Sequence, residues 1–142
     1  MKYIRSNDLR EALIEYEKFG GAISWNHSTF NREKFEKGVL LEEHTITLEE
    51  PSTGRLVQFL LTNFPGLCGT LILYNLNGGR TLHSETHAFI RAMAHAGNYT
   101  RLMFSHVWPE TLQNFKDNGY VIVDSYKNRR TDNPVEVLAR DV

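Results

Sequence analysis

The chain has 142 residues, 41% of them hydrophobic, a formal net charge of −1 and one cysteine, Cys68. That length buries one real core and is too short for two ordinary domains, so a single domain over residues 1–142 is expected. The lone cysteine excludes an internal disulfide and multi-cysteine zinc patterns, and the charge gives no global pull toward nucleic acid. No run approaches the ~20 apolar residues of a membrane span, and Met1-Lys2-Tyr3-Ile4-Arg5 lacks a signal peptide's apolar core, so a soluble cytoplasmic protein is expected.

The elements follow in chain order. A short strand at Tyr3-Ile4-Arg5 precedes a helix that Asp8 and Glu11 mark with a capping-box pattern; Leu9, Leu13 and Tyr16 repeat at helical spacing until Gly20-Gly21. Ser28 is placed to cap a second helix holding Phe30 and Phe35, ended by Gly38. Alternating segments at 44–49 and 55–62, joined by Pro51-Ser52-Thr53-Gly54, predict a hairpin. Phe64-Pro65-Gly66 marks a loop, residues 70–76 read as a central strand, and Asn77-Gly78-Gly79 ends it.

Leu82, Thr86, Phe89, Ile90, Met93 and Gly97 then share one helical face, predicting a helix laid on a sheet. A strand, a glycine turn and a helix N-terminus in succession can offer several backbone N–H groups to a phosphate. His83 and His87, four apart, have the spacing of a shared metal, but with no cysteine partner and His95 too far round the helix they read as surface histidines, and no metal is expected.

Leu102, Met103, Phe104 and Val107 form a strand, Pro109 starts a helix with Leu112 and Phe115 on its buried face, and Asn118-Gly119 ends it before a strand at 120–123. Asp132-Asn133-Pro134 turns the chain into a last strand at 135–139. The basic cluster Lys127, Arg129 and Arg130 reads as a solvated turn, with phosphate binding as the alternative. The plain reading of Trp108 and Phe115 is core packing.

The segment from Leu102 to Tyr120 resembles the fifth strand and fourth helix of the GNAT (GCN5-related) N-acetyltransferases. There the strand runs into an Asn, a Tyr follows seven residues later on the helix, and a Gly-aromatic pair closes it. Counting back from Gly119-Tyr120 puts Phe115 at that Tyr and Trp108 at that Asn. The opening, Tyr3-Ile4-Arg5 with Asp8-Leu9, resembles the family's first strand and helix. The resemblance implies an α/β (α+β) fold: a mixed six- or seven-stranded sheet with helices on both faces, here in the order βααβββαβαββ.

It also implies acetyl-coenzyme A as cosubstrate. The family's pyrophosphate signature falls, counting back from Gly97, on Asn77, Gly78, Gly79, Arg80, Thr81 and Leu82, with Arg80 and Leu82 where the family keeps small residues. Backbone N–H groups of the fourth strand, here around Leu73 and Asn75, would polarise the thioester carbonyl. The implied reaction is direct attack by a primary amine, from a small molecule or a protein. Phe115 has no hydroxyl to protonate the thiolate, which leaves Tyr74 and Tyr120 as candidate acids. No carboxylate lies within residues 71–75, where some members keep a base, so His106 is the candidate base. The rival expectation is a catalytically silent GNAT-fold binding protein, including a tailed-phage virion component, with a homodimer or virion assembly as partner.

Overall fold

The computed structural model describes residues 6–25, 31–36, 45–62, 69–76 and 81–142. The strand expected at Tyr3-Ile4-Arg5, the proposed cap Ser28, Phe30, Gly38, Cys68 and the loop residues Asn77, Gly78, Gly79 and Arg80 lie outside them.

The described elements are α1 (Ser6–Lys18), β1 (Ala22–Ile23), α2 (Arg32–Glu36), β2 (Thr45–Glu49), β3 (Leu56–Thr62), β4 (Thr70–Asn75), α3 (Ser84–Ala96), β5 (Arg101–Val107), a 3-10 turn (Pro109–Thr111), α4 (Leu112–Asp117), β6 (Val121–Lys127) and β7 (Pro134–Asp141). They build one seven-stranded mixed sheet, ordered β1-β2-β3-β4-β5-β7-β6, in which β4 and β5 run parallel and every other pair is antiparallel. The expected hairpin is β2–β3, and the α/β class and strand number agree with the sequence reading. The two-residue β1, paired to β2, is too short to leave a periodic signal. Asp8 sits in the first turn of α1, which starts two residues before the expected cap. Asn31 supplies a side-chain acceptor at α2, taking the Lys34 N–H at 2.9 Å.

Register sorts the side chains. Ile46 and Leu48, Val57, Phe59 and Leu61, Leu71 and Leu73, Leu102 and Phe104, and Leu138 all join one buried cluster, as the period of 2 requires of strands sharing a face. Helix side chains enter the same cluster from α1 (Leu9, Leu13, Tyr16), α2 (Phe35), α3 (Phe89, Ile90, Met93) and α4 (Phe115). The crossover from β4 to its parallel neighbour β5 carries α3 over this face, and α1 packs on α3 through Tyr16 stacked on Phe89 at 4.8 Å. Side chains of all four described helices therefore meet in this one cluster.

Gly119 ends α4 at φ 90°, a conformation unfavourable for any side chain, and a Cβ there would also meet the Arg140 guanidinium at 2.7 Å. That turn returns the chain to the sheet with Tyr120 pointing into the core.

Candidate active site

Parallel pairing of β4 with β5 runs from Thr70↔Arg101 to Leu73↔Phe104 and stops, although β4 continues to Asn75 and β5 to Val107. The two strands part there. On its other side β4 stays paired, Tyr74 with Leu60 and Asn75 with Phe59, so the backbone edge beyond Leu73 is open only toward β5. A crevice at the carboxyl ends of parallel strands is the usual ligand site of such sheets. Asn75 is 8% exposed, and both polar atoms of its side-chain amide lack a partner among the described residues. Leu73 is fully buried.

Beyond Phe104, β5 carries a bulge: three steps to Val107 face two on β7, from Leu138 to Glu136. The extra residue re-aims Ser105 and His106. His106 Nδ1 lies 3.0 Å from the Tyr126 hydroxyl, and the Trp108 indole N–H donates to His106 Nε2 at 3.1 Å. An indole N–H only donates, so Nε2 accepts; in the neutral ring Nδ1 then carries the proton and gives it to Tyr126, whose own proton goes to the Ser105 carbonyl at 3.1 Å. Each donor in this chain has one acceptor. Burial, and then the neighbouring Tyr74 phenol, raise the Tyr126 pKa above the usual phenol value. Tyr126 thus reaches across β7 to His106, at the end of β5 beyond its pairing with β4.

The N-terminus of α3 is occupied by the protein itself. The Leu82 N–H donates to Asn114 Oδ1 at 3.0 Å, the His83 N–H to the Glu50 carboxylate at 2.6 Å, and the Glu85 N–H to His83 Nδ1 at 3.0 Å. Glu50 is 3% exposed and also accepts from Arg55 Nε at 3.0 Å, while Arg55 donates to the Thr81 carbonyl. A carboxylate at this position complements the helix dipole. Leu82 itself is buried and Thr81 exposed. His83 is the helix cap, and His87, expected at the surface, is 1% exposed with Nε2 2.9 Å from Asn114 Oδ1. Because that oxygen already accepts from Leu82, His87 donates to it, and burial lowers the imidazole pKa. No group of three or more metal-ligating side chains occurs among the described residues.

Phe115 is fully buried, edge-on to Phe104 at 4.9 Å and to His87 at 5.0 Å. Tyr120 completes this aromatic cluster at 2% exposure; its hydroxyl has no hydrogen-bond partner among the described residues, and burial pushes its pKa far above the ordinary phenol value. The structure thus sets His106 against Tyr126, with Tyr74 near enough to Tyr126 to raise its pKa, and sends Tyr120 into the core. The contributions of Tyr126, Glu50 and Asn114 went unread in the sequence. Each acts across a tertiary contact, and the one local hint was a charged residue, Glu50, set directly against a proline turn.

This architecture has clear counterparts among solved structures. Spermidine N-acetyltransferase from Vibrio cholerae superposes with a TM-score of 0.52 at 10% identity, over 99% of this chain and 91% of that one. Ribosomal-protein-alanine N-acetyltransferase from Brucella melitensis gives 0.50 at 12%, over 99% and 98%. The N-terminal domain of a ribosomal-protein-alanine acetyltransferase from Clostridium acetobutylicum gives 0.50 at 10%, over 70% and 83%. The chain has the GNAT acetyltransferase fold. No protein-family model matches the sequence, and no curated protein matches it either.

Proposed function

We propose that this chain is a GNAT-type N-acyltransferase that moves an acetyl group from acetyl-coenzyme A to a primary amine by direct attack. The observation that carries the reading is the parting of β4 and β5 after Leu73↔Phe104, with Tyr74 on the open part of β4 and the bonded pair His106 and Tyr126 beyond the end of the β5 pairing. The described residues fit the acyl-bearing arm of the cosubstrate: the β4 edge at Tyr74 and Asn75 is open on the β5 side, and the buried Asn75 amide has polar atoms to satisfy. Bound there, acetyl-coenzyme A would supply the activated acyl group. His106 takes the amine's proton at Nε2 once the amine replaces the Trp108 indole as its donor. Tyr126, and behind it Tyr74, hold phenolic protons for the departing group.

A second reading, a GNAT-fold binding protein without catalysis, has its own support. The amides of Leu82, His83 and Glu85 are already bonded within the protein, Glu50 sets a negative charge where a phosphate would come, and Phe115 has no hydroxyl. Titration calorimetry with acetyl-coenzyme A, followed by acetyl transfer to a panel of amines, tests the two. Binding with turnover supports the transferase. The absence of binding at millimolar acetyl-coenzyme A overturns it in favour of the silent protein.

A further inference from the structure

A second concavity adjoins the cluster just described. A pocket of about 280 Å³ opens between the start of the 3-10 turn and the β6–β7 loop, lined by Trp108, Pro109, Glu110, Asn128, Pro134 and Val135 among others. Its floor is fixed: the Asn128 N–H donates to the Asn133 carbonyl and the Asp132 N–H to the Asn128 carbonyl, each at 2.8 Å, while Asn128 Oδ1 takes the Arg130 N–H. Its inner wall is fixed as well, because the indole that lines it is held by the bond to His106 Nε2. The pocket thus shares one side chain with the candidate base.

Its chemistry has a sign. Glu110 is the only charged lining residue, and its carboxylate makes no ion pair among the described residues. An indole face beside a carboxylate attracts a cation and repels an anion. Pro109, Pro134 and Val135 supply an apolar wall. The volume lies just below the ~300–1,000 Å³ of typical small-molecule sites, which suits a compact ligand. Lys127, Arg129 and Arg130 stand on the same end of the β6–β7 hairpin without lining the pocket, so they oppose a cation from further away than Glu110 attracts it, and oppose a polycation in proportion to its charge.

We infer that this pocket binds a small primary monoamine with an apolar body, its ammonium between Trp108 and Glu110 and its hydrocarbon against Pro109, Pro134 and Val135. The further step, that this amine is the acyl acceptor, rests on the transferase reading; the binding does not.

The test needs no acetyl-coenzyme A, so its failure is distinct from failure of the transferase reading. Phenethylamine is titrated into the protein, following heat and tryptophan fluorescence, with 3-phenylpropionate as an anion of similar body and spermidine as a polycation. Phenethylamine is expected to quench Trp108, and Trp25→Phe, which removes the other tryptophan, is expected to keep the quench. Glu110→Gln, a change at an exposed residue, is expected to weaken phenethylamine roughly three- to tenfold, the scale of one charge-assisted contact. Spermidine and 3-phenylpropionate are expected to bind more weakly than phenethylamine. Absence of heat and quench with phenethylamine, unchanged affinity in Glu110→Gln, or equal binding of either comparison ligand overturns the assignment.

Discussion

Asn114 holds both backbone polar groups of Leu82: its Nδ2 donates to the Leu82 carbonyl at 2.9 Å, and its Oδ1 accepts the Leu82 N–H at 3.0 Å. The same oxygen accepts from His87. One side chain on α4 therefore fixes the approach to α3 and the orientation of a buried imidazole one turn further on.

Asn114→Ala leaves three polar groups without that partner, two of them on the buried residue Leu82. Each unsatisfied buried group costs about 1–3 kcal/mol, so a loss of about 2–4 kcal/mol is expected after partial access of water. Urea unfolding of the variant measures it. A change of less than about 0.5 kcal/mol, the range of ordinary surface substitutions, would show that the clamp contributes nothing.

Glu50 presents a negative charge to the same helix start. Glu50→Gln keeps the shape but removes the charge facing Arg55 and the His83 N–H, and the half-exposed Arg55 then recovers part of its solvation. A loss of roughly 1–3 kcal/mol is expected, below the cost of breaking a fully buried pair. Affinity for acetyl-coenzyme A should rise in this variant, because a carboxylate no longer opposes the phosphates. Calorimetry on both proteins decides it; weaker binding in Glu50→Gln would mean that the carboxylate supports the site.

These contacts mark the boundary of what the sequence discloses. The β2–β3 hairpin, the central β4 and the Pro109-to-Gly119 helix were legible because turn chemistry and hydrophobic period are local. Tyr74 and His106 entered as candidates only through the family resemblance, which set them on the fourth and fifth strands. Tyr126 was not legible, because it reaches His106 only across β7, through a pairing register no local pattern encodes. His87 misled for a related reason: its place on the helical wheel is at the edge of the apolar face, and only Asn114, 27 residues on, makes its burial tolerable. Tyr120 looked available beside the helix end, but the turn at Gly119 directs it inward.

Burial of His87 predicts an acid-side loss of stability. Its folded pKa lies below the 6.5 of a free imidazole, so the unfolded chain takes up a proton that the folded one refuses. Stability from this group is complete above about pH 6.5 and falls as pH drops below it, at up to about 1.4 kcal/mol per pH unit, until the folded pKa is reached. His87→Gln retains a donor for Asn114 and cannot titrate. Thermal melts between pH 7 and pH 5 should show a shallower acid-side decline in the variant, and parallel curves would remove His87 as the cause.

The hydrogen-bond chain through His106 separates positioning from chemistry. If Tyr126 delivers a proton during transfer, Tyr126→Phe lowers kcat by about 10²-fold, the contribution of a general acid, while acetyl-coenzyme A affinity is kept. His106→Gln, if His106 is the base, removes the ascending acid-side limb of the kcat/KM profile, again with cosubstrate binding intact. Both substitutions act at a half-exposed cluster beyond the β4–β5 pairing, away from the buried aromatic core around Phe115, so neither should greatly lower the melting temperature. The two variants must differ in kind: Tyr126→Phe slows turnover at every pH below the phenol's own titration, whereas His106→Gln changes the shape of the profile. Should Tyr126→Phe leave kcat unchanged, Tyr126 only orients His106, and Tyr74 becomes the remaining phenol at the opening. Should both variants retain full turnover and an unaltered profile, the amine loses its proton without help from this cluster, and the His106–Tyr126 pair serves only to hold the bulge of β5 against β6.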